Sequence, residues 1–137
     1  MIKASIRWLL AVFYFAAGMI HLINPAPFLV ITPAWVPAPE AVVLLTGVAE
    51  ILGAIGLAQP FSPRLRQMAG WGLALYALCV WPANINHAVN DIAVGGRTLP
   101  LAYHAPRLLL QPVIIWWALW VGGVTDWPFR RKNTLQS

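Results

Sequence analysis

Four long apolar runs divide the chain, and the polar positions inside them are few enough to name. They cover residues 5–23, 39–58, 65–90 and 104–123. As a helix, at ~1.5 Å per residue, each is long enough to cross a hydrocarbon layer ~30 Å thick. Long runs with so little charge predict transmembrane helices, not the buried helices of a soluble domain. The first run, with Lys3 and Arg7 ahead of it, has the look of a signal peptide. No A-x-A site follows it and the chain re-enters the membrane soon after, so an uncleaved first helix is expected.

The connections differ in character. Residues 24–38 carry Pro25, Pro27, Pro33 and Pro37, with Pro39 next, yet also Phe28, Leu29, Ile31 and Trp35. Proline at that density forbids a regular helix. An apolar, non-helical linker lying in the interface or folded over the helix ends is therefore expected. Residues 61–66 make a short basic connection, 91–103 a polar, Gly-rich loop, and 128–137 a basic tail. Pro82 breaks the hydrogen-bond ladder of the third run and frees the Leu78 carbonyl.

The second run is the centre of the pattern, because it carries a carboxylate, Glu50, near its middle. A charge at that depth costs a few kcal/mol or more unless paired or neutralised, so Glu50 should face protein. Thr46, Gly47, Gly53 and Ala54, about one turn away, share its face. Small residues there let a neighbouring backbone approach closely.

The other polar residues gather in the outer half. Counted along each helix, Glu50 lies ~16 Å from its outer end, Asn84 and Gln111 ~10 Å from theirs, and Arg107 ~5 Å. His21 and His87 fall within a turn of the outer exits. Asn84 and His87 share one helix face, as do Arg107 and Gln111. One cavity open to the outer leaflet is expected, with Glu50 at the floor, Asn84 and Gln111 on the walls, and His21 and Arg107 at the mouth. Residues 24–38 would roof it, and Glu50 would bond Gln111, Asn84 or Arg107. The candidate ligand-binding residues are thus His21, Glu50, Asn84, Arg107 and Gln111, with His87 as an additional candidate. Each also has a purely structural role open to it. The histidines can bond backbone carbonyls, Arg107 can snorkel to headgroups, Asn84 can repair the Pro82 break, and a protonated Glu50 can glue helices together.

Composition sharpens the class. The 137 residues are 60% hydrophobic and 9% charged, too apolar for a soluble domain of this size to bury. The formal charge of +5 is spread between the apolar runs, which is a membrane pattern and not a nucleic-acid patch. Four spans put Lys3, Arg7, Arg64, Arg66, Arg130, Arg131 and Lys132 on one side and only Arg97 and Arg107 on the other. The positive-inside rule then gives N-in, C-in. The single cysteine, Cys79, allows neither an intrachain disulfide nor a CxxC redox pair. His21, His87, His104 and Glu50 lack the spacing of a metal site, and His21 with His87 lies too near the boundary to favour haem. No Ser-His-Asp set or phosphate-cradling Gly loop is present, and no catalytic arrangement is legible.

The chain resembles the DoxX family of small four-helix membrane proteins. The matching residues are Gly18 and His21, then Pro25, Phe28, Ile31, Pro33, Pro37 and Pro39. Gly47, Glu50, Gly53, Leu57 and Pro60 follow, with residues 64–70, Pro82 to Ile85, Arg107, Leu108 and Gln111. Together they cover about residues 18–111. The resemblance implies a compact all-α four-transmembrane-helix bundle forming one domain, multi-pass in a bacterial inner membrane. It also implies a redox-linked setting, with a quinone or lipid-like ligand in the outer pocket and a membrane oxidoreductase partner or a homo-oligomer beside the bilayer. The alternative is a non-catalytic accessory or scaffold subunit. His87 stands where the family is expected to hold an apolar residue or Met, so no role for it follows from the resemblance.

Overall fold

The computed structural model describes residues 1–129. Its regular elements are helices, α1 (Ile2–Ile23), a short α2 (Ala26–Ile31), α3 (Pro39–Ala58), α4 (Pro63–Val89) and α5 (Leu101–Val121). Among the described residues there is no strand, only an isolated bridge between Val94 and Arg97. That bridge closes a tight turn at Gly95 and Gly96, whose φ values of 62° and 77° suit residues without a Cβ. Arg130, Arg131 and Lys132, and most of the basic tail, lie outside the described residues.

The helix boundaries agree with the apolar runs to within three residues at most ends. The fourth helix begins at Leu101, inside the stretch expected to be loop. α4 starts at Pro63, where a missing N–H costs nothing, and Ser62 Oγ accepts from Leu65 N–H at 3.3 Å. Pro82 sits inside α4, and Pro106 and Pro112 inside α5, without ending either helix.

One expectation fails. The proline-rich linker is not wholly irregular, because Ala26–Ile31 is α-helical. Pro25 and Pro27 occupy the N-cap and first turn, where no intrahelical N–H is needed, and Pro33 falls just beyond the end. Proline density matters less than proline position.

α1 packs most extensively on α3, α3 on α4, and α4 on α5; α5 touches α1 least, which closes the ring loosely. Glycine sets the two tight crossings. A Cβ on Gly18 would stand 2.6 Å from the Gly47 carbonyl oxygen, and one on Gly70 would stand 2.8 Å from that of Ala118. Leu10, Tyr14, Leu57, Leu73, Ala118 and Val121 form a dry core at the end where α1 and α4 begin. Toward the other end the helices enclose space instead of side chains.

The outside is as apolar as the core. Leu9, Leu45, Leu52, Leu75 and Leu109 are all more than half exposed. In water such a surface would be a liability; against lipid it is solvated. α1, α3 and α4 are long and apolar enough to cross a membrane, and this is a membrane protein.

Candidate functional site

Above the dry core lies a cavity of about 530 Å³, and His21, Glu50, Asn84, Arg107 and Gln111 all line it. The volume falls within the ~300–1,000 Å³ usual for small-molecule pockets. Phe28, Thr32, Trp35 and Val36 of residues 24–38 line it as well.

The inner end is built on the α1–α3 crossing. Because Gly18 and Gly47 meet backbone to backbone, the next turn brings His21 against Glu50, with Nδ1 2.8 Å from Oε2. The same Nδ1 lies 2.9 Å from the Ala17 carbonyl oxygen. One N–H cannot serve both acceptors well, and Oε2 has no properly aligned hydrogen bond although Glu50 is only 3% exposed. The Tyr14 and Tyr76 rings, edge to face at 6.1 Å, border the cavity near the carboxyl. Phe28 of α2 stacks on the His21 imidazole at 3.6 Å, so the roof rests directly on the dyad.

Two expectations are corrected here. Glu50 pairs with His21, not with Gln111, Asn84 or Arg107. His21 is not at the mouth but at the level of Glu50, because the first turns of α3 extend past the end of α1. Depth counted from each helix end assumes that the ends are level, and these are not.

The outer end is built on α4 and α5. Arg107 Nη2 donates to Asn84 Oδ1 at 2.7 Å, and Nη1 reaches His87 Nδ1 at 3.4 Å. The guanidinium also lies over the Tyr103 ring, 4.8 Å from its centroid. Among the described residues no carboxylate pairs with Arg107. His87 is buried behind Arg107, outside the cavity lining, and steadies it from that side. Gln111 sits between the two ends, its amide donating to the Ala77 carbonyl across the α4–α5 interface. That bond reaches the carbonyl next to the one freed by Pro82, and Asn84, for which repair of the Pro82 break was the structural alternative, holds Arg107.

Three residues contribute beyond the six candidates. Asn86 Nδ2 donates to the Ile31 carbonyl at 3.0 Å and pins the end of α2 to α4. Tyr76 of α4 lines the pocket. His104 is 3% exposed and packs edge to face on His87, ring centroids 4.6 Å apart. His104 was legible only as a histidine without metal-site spacing, and a second asparagine near the end of an apolar helix was the one signal for Asn86. Among the described residues no cluster of three or more His, Cys, Asp or Glu could hold a metal ion.

The fold and site define a helical membrane protein with an internal pocket, polar at both ends and apolar between. The family model described as a domain of unknown function, DUF8561, matches residues 10–122, and the chain belongs to that family. No curated protein and no solved structure matches it.

Proposed function

We propose that the protein is a four-span bundle, N-in and C-in, that binds a small amphipathic molecule in this cavity. The ligand's carbonyl or anionic head meets Arg107 and Asn84, and its apolar part lies along α4 and α5. The carrying observation is that His21, Glu50, Asn84, Arg107 and Gln111, from all four long helices, line one mainly apolar cavity. A quinone or a lipid-like molecule has the required chemistry, with hydrogen bonds for its head. α1 and α5 meet least, and Phe13, Leu110 and Ile114 of those helices line the cavity. A tail can leave there into the bilayer. The resemblance to DoxX proteins, and with it a redox-linked setting in a bacterial inner membrane, belongs to the same reading. An accessory subunit would turn Glu50 and Asn84 toward a partner; both line the internal cavity, which favours the binder.

Purification in mild detergent followed by native mass spectrometry tests the binding. A small-molecule adduct is expected on the protein, and it should be lost on Ala83→Phe, which sets a phenyl ring across the cavity between its polar ends. An adduct-free protein, or an adduct that survives Ala83→Phe, would refute it. Topology is tested separately: a reporter fused after Ser137 should be active only in the cytoplasm, and activity outside would overturn N-in, C-in.

A further inference from the structure

The two polar ends of the cavity ask for different chemistry. At the inner end Glu50 lines the cavity, its Oε2 buried and without an aligned donor. His21 has one Nδ1–H for two oxygens, at 2.8 and 2.9 Å, and the Tyr76 hydroxyl is the other donor within reach of the carboxyl. The two carboxyl oxygens have more lone pairs than these two groups satisfy. A buried acceptor left short of donors is unfavourable, so a donor supplied by a ligand is favoured there. At the outer end Arg107 is a cation with the Asn84 amide and the His87 imidazole beside it, and among the described residues no carboxylate pairs with it. That end asks for an acceptor, best an anion.

The spacing follows from α4. Tyr76 is close to Glu50 and Asn84 holds Arg107. Eight residues separate Tyr76 from Asn84, which is ~12 Å along the helix. Ala77, Val80 and Ala83 form the wall between them, and Gln111, the polar group there, already bonds the Ala77 carbonyl.

We infer that the ligand is two-ended: a lipid-like chain with a carboxylate or similar anionic group on Arg107 and Asn84, and a hydroxyl ~12 Å away that donates to Glu50. The inference rests on the reading that the cavity binds an amphipathic molecule, and it names the class of that molecule.

Three probes separate the two claims: ω-hydroxydecanoate, decanoate, which lacks the donor, and decanol, which lacks the anion. They are offered as an equimolar mixture to the detergent-solubilised full chain, and the occupancies are read by native mass spectrometry. Ratios are compared between wild type and variants, so that partitioning into the micelle cancels. One hydrogen bond corresponds to about fivefold in affinity. The ratio of ω-hydroxydecanoate to decanoate should therefore fall by about that factor from wild type to Glu50→Leu, which removes the acceptor. Arg107→Gln should lower the ratio of ω-hydroxydecanoate to decanol and leave its ratio to decanoate unchanged. A ratio of ω-hydroxydecanoate to decanoate that is the same in wild type and Glu50→Leu overturns the two-ended ligand while the pocket reading stands. If Glu50→Leu cannot be purified, Glu50→Gln, which keeps one acceptor oxygen, should lower the ratio part of the way, and an unchanged ratio there overturns the proposal. Failure of all three probes to bind contradicts both.

Discussion

Gly18→Ala is the substitution whose effect the structure fixes most closely. The new Cβ would stand 2.6 Å from the Gly47 carbonyl oxygen, 2.8 Å from Ile51 Cγ1 and 3.1 Å from Glu50 Cβ. The nearest atom is backbone and cannot rotate away. Ordinary contact begins near 3.4 Å, so α1 and α3 must part by about 0.8 Å. That displacement acts directly on His21 and Glu50. Their 2.8 Å contact would open to about 3.6 Å, beyond hydrogen-bonding range. Overpacking of this kind costs about 1–3 kcal/mol, or a fall in Tm of about 3–10 °C for a chain of this size. Thermal unfolding in detergent, followed by tryptophan fluorescence, measures it. Gly72→Ala is the control, since a Cβ there meets nothing within 4 Å and α4 should be unharmed or slightly stabilised. A Gly18→Ala protein as stable as Gly72→Ala would refute the close α1–α3 crossing and the site built on it.

Three further outcomes follow from single contacts. Ala38 caps α3 with φ 46°, a left-handed conformation unfavourable for a residue with a Cβ, so Ala38→Gly should raise stability by about 1 kcal/mol, read as an increase in Tm. A double-mutant cycle on Arg107→Ala and Asn84→Ala should give a coupling of about 1.5 kcal/mol, because the 2.7 Å bond between them involves a charged donor; additive effects would mean that the bond is not made. Asn86→Leu should free the end of α2 at a cost of about 1 kcal/mol, and amide hydrogen exchange across residues 26–36 should quicken while the exchange of α1 and α3 is unchanged.

The sequence carried the helices and the membership of the pocket better than its contacts. Apolar length marked the long helices because, in lipid, backbone hydrogen bonds must be satisfied within each helix. The second run coincides with Pro39–Ala58. Gly47 was readable as a place of close approach, since a missing side chain is a local property. The partner of Glu50 was not readable. It depends on how far α1 slides along α3, and that register is set where Gly18 and Gly47 interlock, not by either helix alone. Rotation about the helix axis hid Asn86 in the same way. Two residues apart on a helix, Asn84 and Asn86 point ~200° from each other. One reaches α5 and the other α2, and no spacing within α4 says so. The short α2 was missed because proline was weighed by number when its position within the first turn decides the outcome.

The central claim is that the space between Glu50 and Arg107 is a ligand site and not a packing fault. A density map at side-chain resolution, from protein extracted directly from its membrane without added ligand, tests it most directly. An elongated density inside the cavity is predicted, one end within hydrogen-bonding distance of Arg107 and the other approaching Glu50 under the Phe28 roof. A cavity closed by its own side chains, or lipid density confined to the outer faces of the helices, would contradict it.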